Sequence, residues 1–395
     1  MKNFEYFTPT KVIFGKNAEG ETGRLVKQQG CKKVLIHYGS ESAKRSGLID
    51  RICAALDAEG IEYVTLGGVV PNPRLTKVRE GIQLCRENGV DFVLAIGGGS
   101  VIDSSKAIGY GVANEGDVWD FYMMKRAPKA CLPVGAVLTI AAAGSEMSNS
   151  SVITNDEEEN NWYKRGANFE ICRCKFAVMN PELTYTLPQY QTRCGCTDIL
   201  MHTMERYFGG DDNMEITDGI SEALMRTVIE CARTLEKDPQ NYDARAEVMW
   251  AGSLSHNGLT GCGTNGGDWS CHRLEHEIGA RFDVAHGAGL AAIWGTWARY
   301  TYKLLPQRFA KFAVNVLGVL PKNNDEETAL AGIEAMEAFY REISMPTKIS
   351  DLGVELTHED AVAMADKATL GGTVTVGTII KLHSDDMVKI YMAAK

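Results

Sequence analysis

No stretch of the chain stays apolar long enough to span a bilayer, and no block of lysine and arginine marks a surface for nucleic acid or anionic lipid. The 395 residues carry a formal net charge of −10, so neither a nucleic-acid partner nor a membrane partner is expected. The opening residues, Met1 to Lys11, lack the apolar core and small-residue cleavage site of a signal peptide, and the expected address is cytoplasmic. A disulfide framework is missing too: 11 cysteines, odd in number and without a secretory signal, point to reduced thiols. Cys172-Arg-Cys174 and Cys194-Gly-Cys196 could be assembled into a four-thiolate zinc site, but their spacing is tighter than such sites use, and ordinary buried thiols are the expectation. The Gly-x-Gly-x-x-Gly fingerprint of a standard dinucleotide fold is also absent after the first strand.

What is present is a composition typical of globular proteins, 45% hydrophobic and 23% charged, in a chain long enough for two domains. Lys33 to Gly39 is a compact apolar run, and helical periodicity follows from Ser46 to a glycine stop at Gly60. Extended structure resumes over Tyr63 to Gly67, a helix is expected from Leu75 to Asn88, and Asp91 to Gly97 is again strand-like. This βαβαβ order predicts an α/β fold, a parallel sheet with right-handed crossovers, over residues 1–187. After Leu187-Pro188 strand signals nearly vanish, and residues 188–395 are expected to form an all-helical domain.

Parallel sheets bind ligands at the carboxyl ends of their strands. Gly97-Gly98-Gly99-Ser100, followed by Asp103 and Lys106, stands at such an end. Glycines there let backbone N–H groups approach phosphate oxygens beside a helix N-terminus, although glycine-rich turns occur in many loops. Gly39-Ser40-Glu41-Ser42 follows the first of these strands, where a dinucleotide fold presents a phosphate loop. The small, hydroxyl-bearing segment Thr139 to Glu146 suits either close packing on a flat ring or phosphate, or a tightly packed core helix. The acidic run Asp156 to Asn160 is expected to be a solvated loop.

In the second half, His272, His276 and His286 fall within fifteen positions. His272 and His276 are four apart and share a helix face, and His286 precedes a glycine that could turn the chain back beside that helix. Asp198 and His202 share a helix face in the same way. A buried polar pair is the ordinary reading, but a metal would satisfy both. Asp198, His202, His272 and His286 would together supply one carboxylate and three imidazoles, a set suited to Fe²⁺ or Zn²⁺, which leaves His276 as a neighbour in the site. His272-x-x-Glu275-His276 also fits the inverted zinc-peptidase pattern.

These residues, with Thr8 to Gly15, Pro71-Asn72-Pro73, Gly144-Ser145-Glu146, Gly267-Asp-Trp269 and Asp283 to Leu290, give the chain a resemblance to the iron-containing (group III) alcohol dehydrogenases. The resemblance runs nearly end to end and is greatest for the NAD(P)H-dependent butanol dehydrogenase and aldehyde reductase branch. It implies a dehydroquinate synthase-like architecture, with an α/β nucleotide-binding half, a helical metal-binding half and hydride transfer in the cleft between them. By motif, it places the metal on Asp198, His202, His272 and His286 and puts His276 in the active-site lining. Nucleotide contacts are implied at Gly39, Ser40, Asn72, Gly98, Gly99, Ser100, Asp103, Thr139, Ser145 and Lys164.

The branch usually has three glycines and a serine after the first strand, where this chain has Gly39-Ser-Glu-Ser42. An NAD-restricted member is expected to carry aspartate where Gly39 stands, because a carboxylate there pairs with the ribose 2′-OH. Gly39, Lys44 and Arg45 leave room for the 2′-phosphate of NADP(H), Glu41 opposes it, and NADPH is the expected cofactor over NADH. The expected activity is reduction of short- to medium-chain aldehydes, or oxidation of the matching primary alcohols. Glycerol dehydrogenase-like or dehydroquinate synthase-like chemistry on the same fold is the alternative, and a zinc peptidase or a metal-dependent sensor is the remoter one. Phe4 to Phe7 and Val12 to Phe14 are expected to pair across a two-fold axis in a homodimer.

Overall fold

The computed structural model describes residues 1–39, 42–159, 161–210 and 213–395. Ser40, Glu41 and Asn160 therefore lie outside the described residues. The chain divides into two compact units, Thr8–Leu187 and Pro188–Lys395, with Met1–Phe7 belonging to the second.

The first unit is built on β1 (Lys11–Phe14), β2 (Lys33–Tyr38), β3 (Glu62–Leu66), β4 (Phe92–Gly97), β5 (Val134–Leu138) and β8 (Phe176–Met179). All pairs are parallel, in the order β1-β8-β5-β4-β2-β3. Its helices are α1 (Thr22–Lys27), α2 (Ser42–Arg45), α3 (Leu48–Ala58), α4 (Leu75–Asn88), α5 (Gly99–Ala113) and α6 (Trp119–Tyr122). Every residue of β4, β5 and β8 is buried, which is why they read as unbroken apolar runs: helices cover both faces of a parallel sheet. On one face Val34, Ile36, Leu94 and Ile96 meet Leu48, Ile52 and Leu56 of α3, each burial contributing about 1.5–3 kcal/mol.

Two expectations are refined here. Thr139 to Asn149 forms no helix, so its small residues serve a loop beyond the carboxyl end of β5. The acidic run after Asn155 lies between β6 (Ser150–Asn155) and β7 (Tyr163–Asn168), an antiparallel ribbon. It is more than a solvated loop, since Asp156 accepts from the Thr76 N–H and hydroxyl at 3.1 and 2.7 Å, satisfying a donor at the start of α4.

The second unit contains α7 (Gln189–Phe208), α8 (Glu215–Lys237), α9 (Tyr242–His256), α10 (Ser270–Phe282), α11 (His286–Thr301), α12 (Pro306–Asn315), α13 (Asp325–Glu342), α14 (His358–Ala368) and α15 (Ser384–Ala393). No strand forms in it among the described residues, in keeping with the helical character expected after Pro188. An aromatic core of Tyr207, Phe208, Trp297, Phe309 and Phe312 joins α7, α11 and α12. Packed by α8, α9 and α11, α7 is buried without a break from Gly195 to Phe208. Polar side chains on so enclosed a helix must find partners inside the unit. Among the described residues, no helix is long and apolar enough to cross a membrane.

Candidate metal centre and nucleotide edge

Asp198, His202 and Glu205 fall at i, i+4 and i+7 on α7 and so share one face of it. Three imidazole nitrogens approach the Asp198 Oδ1 atom. His202 Nδ1 lies 3.4 Å away, and His272 Nε2 and His286 Nε2 each lie 3.7 Å away. The ligand atoms of Asp198, His202 and His272 all stand within 4.8 Å of one another. His286, at the first position of α11, joins through Asp198. It is the most open of the four, with its side chain 26% exposed.

Each of the last two histidines is held from behind by a carboxylate that sequence reasoning did not assign to this task. Glu205 Oε1 accepts from the His272 main-chain N–H at 3.0 Å and from its Nδ1 at 3.1 Å. Glu275 Oε2 accepts from His286 Nδ1. In both rings this leaves the Nε2 lone pair facing Asp198, the tautomer needed by a metal ligand. The Glu205–His272 contact was not recoverable from spacing, because it joins α7 to α10 across 67 positions.

The donor set fits a divalent cation. Asp198 Oδ1, His202 Nδ1 and His272 Nε2 are buried and have no hydrogen-bond partner among the described residues, an arrangement that is costly unless something else sits between them. The carboxyl groups of Asp198, Glu205 and Glu275 are all buried, the latter two behind histidines that face the first. The nearby Arg206 spends its guanidinium on the main-chain oxygens of His202 and Ser255 and on His256 Nδ1. Burial depresses the Arg206 pKa to about 10. Burial alone would lower the His272 pKa as well, but hydrogen bonds and charge from Asp198 and Glu205 outweigh it and raise it to about 9. Without a cation, the carboxylates call for a proton. His202 shifts the other way, well below its ordinary value, through burial and the neighbouring His256 and His272.

His276 stands apart from the Asp198 group, near Glu275 and His286, with its ring centroid 5.8 Å from that of His286. The peptidase pattern is thereby dismantled. Glu275 is fully buried against His286 rather than placed to activate water, and only one of the two motif histidines reaches Asp198. The cysteine quartet fares no better. Cys172 and Cys174 belong to the first unit and Cys194 and Cys196 to the second, and all are free thiols. Burial pushes the Cys174, Cys194 and Cys196 thiols up to about 12, opposite to the shift a thiolate ligand requires.

Both ends of α10 are in left-handed backbone, Trp269 at φ 63° and Asp283 at φ 50°. A bulky residue in that conformation is strained by roughly 1–3 kcal/mol, so the surroundings must hold it. Trp269 Nε1 donates to the Gly266 carbonyl at 2.7 Å, and the Arg206 guanidinium lies 4.5 Å from its ring. The His256 ring lies tilted against that of His202, centroids 4.1 Å apart; like Trp269 and Arg206, it was not singled out as a site residue from sequence.

In the first unit, the candidate nucleotide residues cluster by topology. Gly39, Gly98 and Thr139 follow the carboxyl ends of β2, β4 and β5, which are neighbours in the sheet. Thr139 N–H donates to the Gly97 carbonyl at 3.0 Å. Gly98 caps α5, and Gly99 and Ser100 open it. Gly98 has ordinary backbone angles; what it provides is space, since a Cβ there would come within 2.8 Å of Ile140. The Asp103 carboxylate accepts from Ser145 Oγ at 2.6 Å and from the Val152 N–H at 2.9 Å. Lys106, fully buried, donates to the carbonyls of Ser145, Ser148 and Ser150. Together they pin the loop after β5 to α5. Asn72, in left-handed backbone between two prolines, lies beside the ribbon, where Thr154 N–H reaches Pro73 O at 2.8 Å and Lys164 pairs with Thr154. Ser40 lies outside the described residues.

Comparison with known proteins accounts for both units. Family models described as iron-containing alcohol dehydrogenase and as the C-terminal part of that family match residues 9–181 and 192–395. The chain is 38% identical over 392 residues to the NADH-dependent butanol dehydrogenase A of Clostridium acetobutylicum, covering 99% of each. It is 32% identical over 402 residues to the NADPH-dependent aldehyde reductase YqhD of Escherichia coli, covering 100% of each. Among solved structures, the NADH-dependent butanol dehydrogenase A of Thermotoga maritima superposes with a TM-score of 0.95 at 36% identity, over 100% of this chain and 99% of that one.

Proposed function

The chain belongs to the iron-containing alcohol dehydrogenase family, and on that premise we propose that it interconverts short- to medium-chain aldehydes and primary alcohols with a nicotinamide dinucleotide. It is an alcohol dehydrogenase or aldehyde reductase; the butanal type of substrate is the proposed refinement. The observation that carries the reading is the convergence of His202, His272 and His286 on Asp198, with no hydrogen-bond partner among the described residues for the facing atoms of Asp198, His202 and His272.

Asp198, His202, His272 and His286 would hold one divalent cation, Fe²⁺ or Zn²⁺, through one carboxylate oxygen and three neutral imidazoles. When bound, the metal supplies Lewis-acid polarisation of the substrate oxygen and the nicotinamide supplies or accepts hydride. Burial of Asp198, His202 and His272 excludes water, while the more open His286 marks where a substrate would enter. His276, half-buried beside His286, is positioned to pass a proton towards solvent.

Gly39, Asn72, Gly98, Gly99, Ser100, Asp103, Thr139, Ser145 and Lys164 are proposed to surround the dinucleotide, with Ser40 as the remaining contact. Of these, Asp103 and Ser145 bond each other and so shape the loop as well. NADPH is the proposed preferred form because Lys44 and Arg45 stand exposed on α2, just past the carboxyl end of β2. A homodimer is proposed through the outer edge of β1, which pairs only with β8 among the described residues and exposes Phe14.

The direct test loads purified protein with Fe²⁺ or Zn²⁺, adds butanal and each reduced cofactor, and follows nicotinamide absorbance. Turnover of butanal supports the reading. Turnover only with glycerol or a dehydroquinate synthase substrate would move it to the alternative chemistry.

A further inference from the structure

Two of the ligand histidines in the centre are held in the same way, each by a carboxylate from another helix. Glu205 of α7 is on His272 of α10, and Glu275 of α10 is on His286 of α11. Both glutamates are buried, and Glu205 makes a second contact to the His272 main-chain N–H, so it fixes backbone as well as ring.

A separate feature of α11 makes the second link possible. At Gly289, three residues past His286, a Cβ would stand 2.8 Å from Glu275 Cγ and 3.1 Å from Glu275 Oε1. A side chain there would push the carboxylate away from its histidine. In a helix interior glycine is disfavoured by roughly 1 kcal/mol relative to alanine, so its presence at this contact calls for a packing reason.

We propose that Glu205 and Glu275 are positioning residues that set the tautomer and aim of His272 and His286 for a divalent cation, and that Gly289 is kept small to let Glu275 reach its histidine. The proposal rests on the metal-site reading given above. Carboxylates behind ligand imidazoles raise ligand basicity and restrain the ring, and their loss typically weakens metal affinity by about 10–100-fold. Neither glutamate needs to touch substrate or cofactor.

The test measures Zn²⁺ affinity of the full chain by competition with a chromogenic chelator, without any turnover assay. Glu205→Gln and Glu275→Gln keep size but remove charge, and each is expected to weaken Zn²⁺ binding by about 10–100-fold. Gly289→Ala leaves both carboxylates in place and is expected to weaken binding in the same direction, with a changed visible spectrum in the Co²⁺-loaded protein. Glu222→Gln is the control: it alters a buried carboxylate bonded to Tyr207 and Asn315, and Zn²⁺ affinity should stay at the parental value. Asp198→Ala separates the two levels of inference. If it leaves Zn²⁺ affinity unchanged, the metal reading falls. If it abolishes binding while Glu205→Gln, Glu275→Gln and Gly289→Ala all bind as the parent does, the positioning roles are overturned and the metal reading stands. Should a glutamine variant fail to fold, Gly289→Ala alone decides the Glu275 link, because alanine suits a helix interior.

Discussion

His272 Nε2 and Asp198 Oδ1 face each other across 3.7 Å, too far for a hydrogen bond and at a separation a shared cation would bridge. His272→Ala is therefore expected to lose bound metal and nearly all turnover while still binding reduced cofactor, whose proposed contacts lie in the other unit. His286→Ala should behave in the same way, with metal measured by elemental analysis and cofactor by fluorescence titration. Full metal occupancy in either variant would remove that histidine from the ligand set.

A second expectation concerns acid stability and comes from the α/β unit. His37 is buried, its Nδ1 donating to Leu66 O at 2.8 Å and its Nε2 accepting from Ser104 Oγ at 2.9 Å. A carbonyl can only accept, so these two bonds define a neutral ring. Burial is the largest cause that lowers its pKa from 6.5 to about 4. The unfolded chain binds this proton more readily than the fold does. The contribution to stability is thus complete above pH 6.5 and is lost as pH falls towards about 4, a change of roughly 3 kcal/mol. His37→Asn, which stays neutral, should flatten that segment of the stability–pH curve in urea titrations. An unchanged slope would mean that the ring is not held neutral.

A third expectation concerns the scaffold of the helical unit. The Arg308 guanidinium binds both oxygens of Asp218 and the Tyr207 carbonyl, and lies 3.9 Å from the Tyr207 ring; Arg308 and Asp218 are buried. Removing one member of a buried pair strands the other charge, at about 3–5 kcal/mol. Arg308→Leu should lose stability of that order, less whatever Lys311, 2.8 Å from Asp218, continues to provide. Denaturant unfolding reads this directly, and a loss below about 1 kcal/mol would show that water or Lys311 replaces the arginine.

Much of this arrangement was legible in the chain because it is local. The apolar runs at Lys33–Tyr38 and Phe92–Gly97 announced buried parallel strands, and the spacing of Asp198 with His202 announced a shared face. What stayed hidden depends on packing between distant segments. Glu205 reads as an ordinary helix residue until α10 is laid beside α7, and Glu275 reads as a catalytic base until α11 returns to meet it. The ribbon β6–β7 was missed because Tyr163–Asn168 holds charged and small residues in place of an apolar alternation. The segment after β5 was open to a helical reading from composition alone, yet Asp103 and Lys106 hold it as a loop.

Cofactor form gives a fourth expectation. If Lys44 and Arg45 receive the ribose 2′-phosphate, charge-assisted hydrogen bonds of about 1.5–3 kcal/mol each favour NADPH by roughly tenfold or more. Comparing kcat/KM for NADPH and NADH in the parent and in Glu41→Gly tests this. A parent that prefers NADH, with a swing to NADPH in the variant, would make Glu41 the selector and NADH the native cofactor.

The last expectation separates two reasons for glycine at position 98. A phosphate site needs close backbone approach there, while the packing of Ile140 alone already forbids a side chain, since a Cβ would stand 2.8 Å from Ile140 Cβ. Gly98→Ala should therefore weaken dinucleotide binding under either reason, and by itself it decides nothing. Ile140→Gly removes the atoms that the new methyl group meets. In the double variant Gly98→Ala/Ile140→Gly the loop after β5 can resettle, and stability should return towards that of Ile140→Gly alone. If the backbone at Gly98 faces pyrophosphate, cofactor affinity stays low in the double variant although the packing conflict is gone. Recovery of affinity to the level of Ile140→Gly would show that Gly98 serves only the loop, and would place the phosphate contacts on the N–H groups of Gly99 and Ser100 at the start of α5.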